Sequence, residues 1–216
     1  MKIPLWAFVP VIIIGVLMVP VLPVNATLLT FDYEVEFSGA TPPAGATPWI
    51  TATFDDSFGG DNTVRLAMSA VNLVGTEFID DWLFNFDSAL DPTLLYFTPV
   101  DISEAKPNHI LAEIDAFKSD GGGYFDILFD FPPPPGNDAS KFTAGESVVY
   151  DITYVSPITV AAFNVENSSG LITAAHIQAI NGEESGRVTI PDASAVFLLG
   201  SSCLMGFAVM RKKPKK

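Results

Sequence analysis

Asp55, Asp56, Asp61 and Asn62 crowd into one Gly-containing turn, DDSFGGDN. Carboxylate and amide oxygens, together with loop carbonyls, are what Ca²⁺ collects, roughly six to eight at a time. The spacing is not the Asp-x-Asp-x-Asp-Gly order of a helix–loop–helix calcium loop. A polar hairpin turn explains the same residues, so both readings stay open, and calcium is the one candidate cofactor. Trp49, in TPWITATF beside a Pro-rich turn, has the residue type and the setting of an aromatic platform for a sugar ring.

Other reactive side chains are sparse. The two histidines fall in strand-like stretches, His109 in NHILAEID and His176 in TAAHIQAI, with no nucleophile elbow nearby. His176, among small and apolar residues, reads as a core or edge histidine, and His109 as a surface residue at a strand start. Two histidines so placed do not make a zinc site of the usual three or four close ligands. Glycoside hydrolysis needs two carboxylates about 5–10 Å apart. Asp126 and Asp130 on one strand face are separated by about 13 Å. Asp80-Asp81 or Asp55-Asp56 would have to contribute from neighbouring strands, so a secreted hydrolase ranks third among the functional readings.

The elements that would position these residues are strands. Phe31, Tyr33, Val35 and Phe37 alternate with Asp32, Glu34, Glu36 and Ser38, a period of two with one wet face. The same alternation recurs at Val64–Ala70, at Trp82, Phe84 and Phe86, at Phe125–Phe131 and at Val148–Tyr154. Less regular strands are predicted over 48–54, 93–99, 109–117, 171–180 and 186–190. Turn signals separate them, among them Gly121-Gly122-Gly123 and Asn181-Gly182. Pro132 to Pro135 cannot join a ladder and read as a stiff loop. Only Ile158–Val165 has the pattern of a short helix. The prediction is all-β: one antiparallel β-sandwich of about nine or ten strands, jelly-roll-like, around an aromatic core supplied by 17 Phe.

Both ends read as export signals. Met1-Lys2, the apolar stretch Ile3–Leu22 and the small-residue site Val24-Asn25-Ala26 form a signal peptide over 1–26, with an uncleaved signal anchor as the alternative. At the other end Pro191-Asp192 precedes an uncharged apolar run, Ala193–Met210, long enough to span a bilayer as a helix. Arg211, Lys212 and Lys213, with Lys215 and Lys216, then form a cytoplasmic stop. A permanent anchor and a sorting signal both fit this tail.

Ile190-Pro191-Asp192-Ala193-Ser194, VFLLGSSCLMGFAVM and Arg-Lys-Lys together resemble the PEP-CTERM sorting signal of exopolysaccharide-producing bacteria, in its Pro-Asp variants. Asp192 stands where the family has Glu, and Ala193 where it has a second Pro. The resemblance implies cleavage near Pro191, Asp192 and Ala193 by an exosortase-like processing enzyme. Release into the extracellular matrix, or attachment to it, would follow. The segments TATFDDSFGGDNTVRLAMSAVNL, EFIDDWLFNFDSALDPTLLYFT, GGGYFDILFDFPPPPGN, KFTAGESVVYDI and AAHIQAING look like a recurring PEP-CTERM ectodomain. It covers most of residues 28–182 and has no assigned activity. The resemblance therefore implies a β fold and supplies no catalytic residues.

Charge narrows the partners. The chain has 25 acidic residues, all within 27–192, where the basic ones are Arg65, Lys106, Lys118, Lys141 and Arg187, a formal balance of −20. Such a surface repels nucleic acid and anionic lipid. The single cysteine, Cys203, lies in the tail, so the ectodomain over 27–190 has neither a disulfide nor a thiolate site. The expected function is a non-enzymatic protein of the cell surface or exopolysaccharide matrix, structural or adhesive. A calcium-dependent glycan-binding module is the alternative.

Overall fold

The computed structural model describes residues 27–132 and 141–192. The signal peptide expected over 1–26, Pro133–Pro135 and the tail from Ala193, with Arg211, Lys212 and Lys213, lie outside the described residues. Among the described residues twelve strands run in chain order: β1 (Leu28–Tyr33), β2 (Val35–Glu36), β3 (Ile50–Asp55), β4 (Thr63–Ser69), β5 (Phe78–Phe84), β6 (Tyr96–Asp101), β7 (His109–Ser119), β8 (Gly123–Asp130), β9 (Phe142–Thr143), β10 (Ser147–Thr153), β11 (Thr173–Ile180) and β12 (Glu184–Thr189). They make two antiparallel sheets, consistent with a β-sandwich. One has the order β1-β3-β4-β10-β6. The other runs β2-β12-β11-β5-β8-β7, with β9 also paired to β5.

The period-two stretches put their apolar halves between the sheets. Phe31, Tyr33, Ile50, Ala52, Phe54, Val64, Leu66 and Met68 from the first sheet meet Ile79, Trp82, Phe84, Ile127, Phe129 and Ile177 from the second. Ring contacts dominate: Phe54 stacks on Phe163 at 4.6 Å and meets Phe84 edge-on at 5.3 Å. Such pairs contribute about 0.5–1.5 kcal/mol each beyond the area they bury. One polar chain threads this core. Trp82 Nε1–H donates to Tyr33 Oη (2.5 Å), Tyr33 Oη–H to Thr173 Oγ1 (2.5 Å), and Thr173 Oγ1–H to the Leu83 carbonyl (2.7 Å). Every donor in it has an acceptor, which is the condition for burying polar atoms without a large penalty.

Several boundaries differ from the sequence reading. The strand expected over 93–99 starts only at Tyr96, because Pro92–Leu94 forms a 3-10 turn capped by Asp91. The stretch expected as one strand over 31–38 changes sheets at Glu34. Tyr33 still accepts from Trp49 N–H (3.0 Å), while Glu34 N–H already donates to Thr189 of the second sheet (3.1 Å). The strand around Trp82 begins earlier, at Phe78, and ends at Phe84. The short helix expected over 158–165 is a 3-10 turn, Val160–Phe163. The β7–β8 turn needs left-handed backbone at Gly121 (φ 80°) and Gly123 (φ 80°), which is why glycine occupies it.

Trp49 corrects an expectation. It is 6 % exposed, belongs to the core, and its indole N–H donates to the Gly45 carbonyl (2.8 Å). A ring enclosed in this way cannot serve as a surface platform.

Candidate functional site

One row of polar residues crosses the outer face of the second sheet. Arg187 on β12 is the cross-strand partner of His176 on β11, His176 of Asp81 on β5, Asp81 of Asp130 on β8, and Asp130 of His109 on β7. Directly opposed side chains on one sheet face have Cβ atoms about 4.5–5.5 Å apart, so the members of the row are close neighbours. Both histidines of the chain, Arg187 and two carboxylates are thereby aligned over five strands.

A bulge brings in Asp80. The β5–β11 register passes from Asp81↔His176 to Ile79↔Ile177, leaving Asp80 as the extra residue. Ile79 and Trp82, three positions apart, both point into the core. Asp80 and Asp81 must therefore share the outer face, the kind of re-aiming that bulges produce.

The geometry is tight. His176 Nδ1 lies 3.2 Å from Asp80 Oδ2, and Gln178 Nε2–H donates to the same oxygen at 2.5 Å. Arg187 Nη1 stands 3.9 Å from Asp81 Oδ2. One donor atom each from Asp80, Asp81 and His176 fall within 4.8 Å of one another, the one such group among the described residues. These side chains are mostly covered, at 17 % exposure for Asp80, 18 % for His176 and 27 % for Asp81. Burial, and then the charge of Asp80, push the Asp81 carboxyl above the usual carboxylate range, against the pull of Arg187 and His176. Burial and Asp80 act the same way on Asp130, opposed by His109. The row thus concentrates more negative charge than its neighbours neutralise. Chemically it can hold a cation or share a proton between Asp80 and His176. The bond His176 makes is to a carboxylate, not to a hydroxyl that it could activate.

The residues singled out in the sequence lie elsewhere. Asp55, Asp56, Asp61 and Asn62 frame the β3–β4 turn, where the carboxylates of the first two hold backbone. Asp55 Oδ1 accepts from Ser57 N–H (2.8 Å). Asp56 Oδ1 accepts from Thr27 N–H (2.6 Å) and its Oδ2 from Val160 N–H (3.4 Å). Asp126 and Asp130 have separate places: Asp126 fastens the β7 bulge by accepting from Asp115 N–H (2.8 Å) and Phe86 N–H (2.9 Å), while Asp130 joins the polar row. His109 opens β7 as an exposed residue, as expected. His176 is neither core nor edge, since β11 runs inside the sheet. Pro191 and Asp192 follow β12 after Ile190.

No protein-family model matches this chain, and no curated protein or solved structure matches it either.

Proposed function

We propose that this is an exported, non-enzymatic protein of the cell surface or exopolysaccharide matrix, with a structural or adhesive role. In this reading an exosortase-like enzyme processes it at the tail. The observation that carries the reading is where the strands begin and stop. They run from Leu28 to Thr189, and so fill the interval between the expected signal-peptide site at Ala26 and the Pro191-Asp192 motif. A self-contained sandwich between two export signals, 20 negative charges in excess, is suited to display in a hydrated matrix. The repeated passage of the chain between the sheets favours a jelly-roll-like wrapping. The apolar run from Ala193 would cross the membrane until processing. Terminal peptide mapping of the surface or secreted protein tests this. A C-terminus near Asp192 is expected, whereas retention of the whole chain inside the cell would overturn export itself.

A second reading, glycan binding, has an observation of its own. A groove of about 440 Å³ runs between the edge strands β6 and β7, lined by Tyr96, Phe97, Pro99, Lys106, His109 and Tyr150 among others. Tyr96 is 70 % exposed there, an accessible ring of the kind that stacks on sugars. Co-sedimentation with exopolysaccharide, in Ca²⁺ and in EDTA, separates the readings. Saturable binding lost in Tyr96→Ala at unchanged melting temperature would favour the glycan module, and Ca²⁺ dependence would implicate the DDSFGGDN turn. No binding in either buffer leaves the structural role.

A further inference from the structure

We propose that Asp80, Asp81 and His176 form a binding site for a first-row divalent transition metal, zinc in the first instance, on the outer face of the second sheet. Three independent features of the geometry support it. The first is the separation of the donors. Two ligands of a tetrahedral ion with bonds of about 2.0–2.2 Å stand about 3.4 Å from each other. His176 Nδ1 and Asp80 Oδ2 are 3.2 Å apart, and an Asp81 oxygen lies within 4.8 Å of both. Two atoms held at the edge length of a coordination tetrahedron need little movement to take an ion between them.

The second feature is the support around those donors. Gln178 Nε2–H donates to Asp80 Oδ2, the oxygen that also faces His176 Nδ1, and so holds the carboxylate in place; metal sites depend on such outer contacts. The bulge at Asp80 is local and specific: with strict alternation back from Trp82, Asp80 would point into the core and Ile79 out of it. It costs a ladder position on a central strand, and what it gains is a second carboxylate beside His176.

The third feature is Arg187. Its Nη1 is buried yet makes no hydrogen bond, although Asp81 Oδ2 is 3.9 Å away. A donor in that position can bond to a water or hydroxide completing the coordination of an ion at Asp81. Asp130, facing Asp81 across the ladder, adds negative charge that an ion would offset.

The donor set chooses the metal. One imidazole nitrogen with carboxylate oxygens suits zinc and its first-row neighbours, whereas Ca²⁺ takes oxygen ligands alone. Bound there, the ion would clip β5 to β11 at the bulge, in an ectodomain whose sequence offers no disulfide.

The test is titration of the full chain, purified in mild detergent and stripped with a chelator, with Co²⁺ read by its visible absorption and with Zn²⁺ in competition. Saturation at one equivalent is expected, with Zn²⁺ displacing Co²⁺ and millimolar Ca²⁺ leaving it in place. His176→Gln and Asp80→Asn should each weaken binding at least ten-fold, while His109→Gln, at the far end of the row, should not change it. Circular dichroism of the metal-free variants checks that each remains folded; should Asp80→Asn unfold, His176→Gln alone decides the matter. Absence of saturable binding would overturn the proposal. So would affinity unmoved by His176→Gln, or binding lost in Asp55→Asn/Asp61→Asn instead, which would put the ion at the β3–β4 turn.

Discussion

Asp81 of β5 and Asp130 of β8 stand directly opposite each other in the antiparallel ladder, two carboxylates on neighbouring central strands. Like charges so placed destabilise a sheet, by up to about 1 kcal/mol. Arg187 and His176 lie on the Asp81 side and His109 on the Asp130 side, so the repulsion is shared out but not removed. Asp130→Asn keeps the shape and deletes one charge. In EDTA at neutral pH it should stabilise the protein by about 0.5 kcal/mol, read as a higher urea midpoint with an unchanged slope. A lower midpoint would mean that Asp130 is held by favourable contacts that outweigh the repulsion.

Much of the sandwich was legible because period-two alternation reports which face is wet, and that is what decides burial in a two-layer fold. Leu66, Trp82, Phe129 and Ile152 all fell inward as their alternation requires. The polar row was not legible in the same way. His109 and His176 are 67 positions apart in sequence, and what aligns them is the pairing order β7-β8-β5-β11, which no local pattern encodes. One part of the signal was available. Ile79-Asp80-Asp81-Trp82 breaks the alternation by spacing two apolar residues three apart, the mark of a bulge. Trp49 misled because neighbouring prolines indicate a turn, while the indole folds back under Gly45 into the core.

Trp49 gives the second prediction. With its ring buried and its N–H satisfied, truncation leaves a cavity rather than a lost binding platform. Trp49→Ala should destabilise by about 3–5 kcal/mol. The check is thermal unfolding beside any glycan-binding assay. A variant with an unchanged melting point would contradict the burial of this ring.

Asn85 is 3 % exposed, and its side-chain amide faces three carbonyls at once: Val165 (3.0 Å), Leu171 (2.7 Å) and Ile172 (3.0 Å). It therefore fastens the end of β5 to the loop that leads into β11. Asn85→Ala leaves those acceptors without their donor and should cost about 1–3 kcal/mol. Asn85→Asp turns a donor into an acceptor facing three others, and should cost more than Ala despite its nearly identical shape. Urea denaturation of the two variants side by side is decisive. An Asp variant as stable as wild type would mean that these three carbonyls do not depend on the Asn85 donor.

Alkaline pH supplies the last prediction, through two buried phenols. Tyr150 is 3 % exposed, and burial pushes its hydroxyl up to about 12. Burial raises Tyr33 as well, against the opposing effect of its hydrogen bonds with Thr173 and Trp82. An unfolded tyrosine loses its proton near pH 10, so between about pH 10 and 12 the unfolded chain binds fewer protons than the folded one. Stability must then fall as pH rises through that window, and must be free of this effect below it, where both states stay protonated. Tyr150→Phe has nothing to ionise. Its stability should fall less steeply above about pH 10, while Tyr33 preserves the remaining slope. Urea midpoints measured on both sides of pH 10 check this. Equal slopes for the variant and the wild type would show that the Tyr150 hydroxyl ionises as readily in the folded protein as in the unfolded chain, and that the β6–β10 edge admits water.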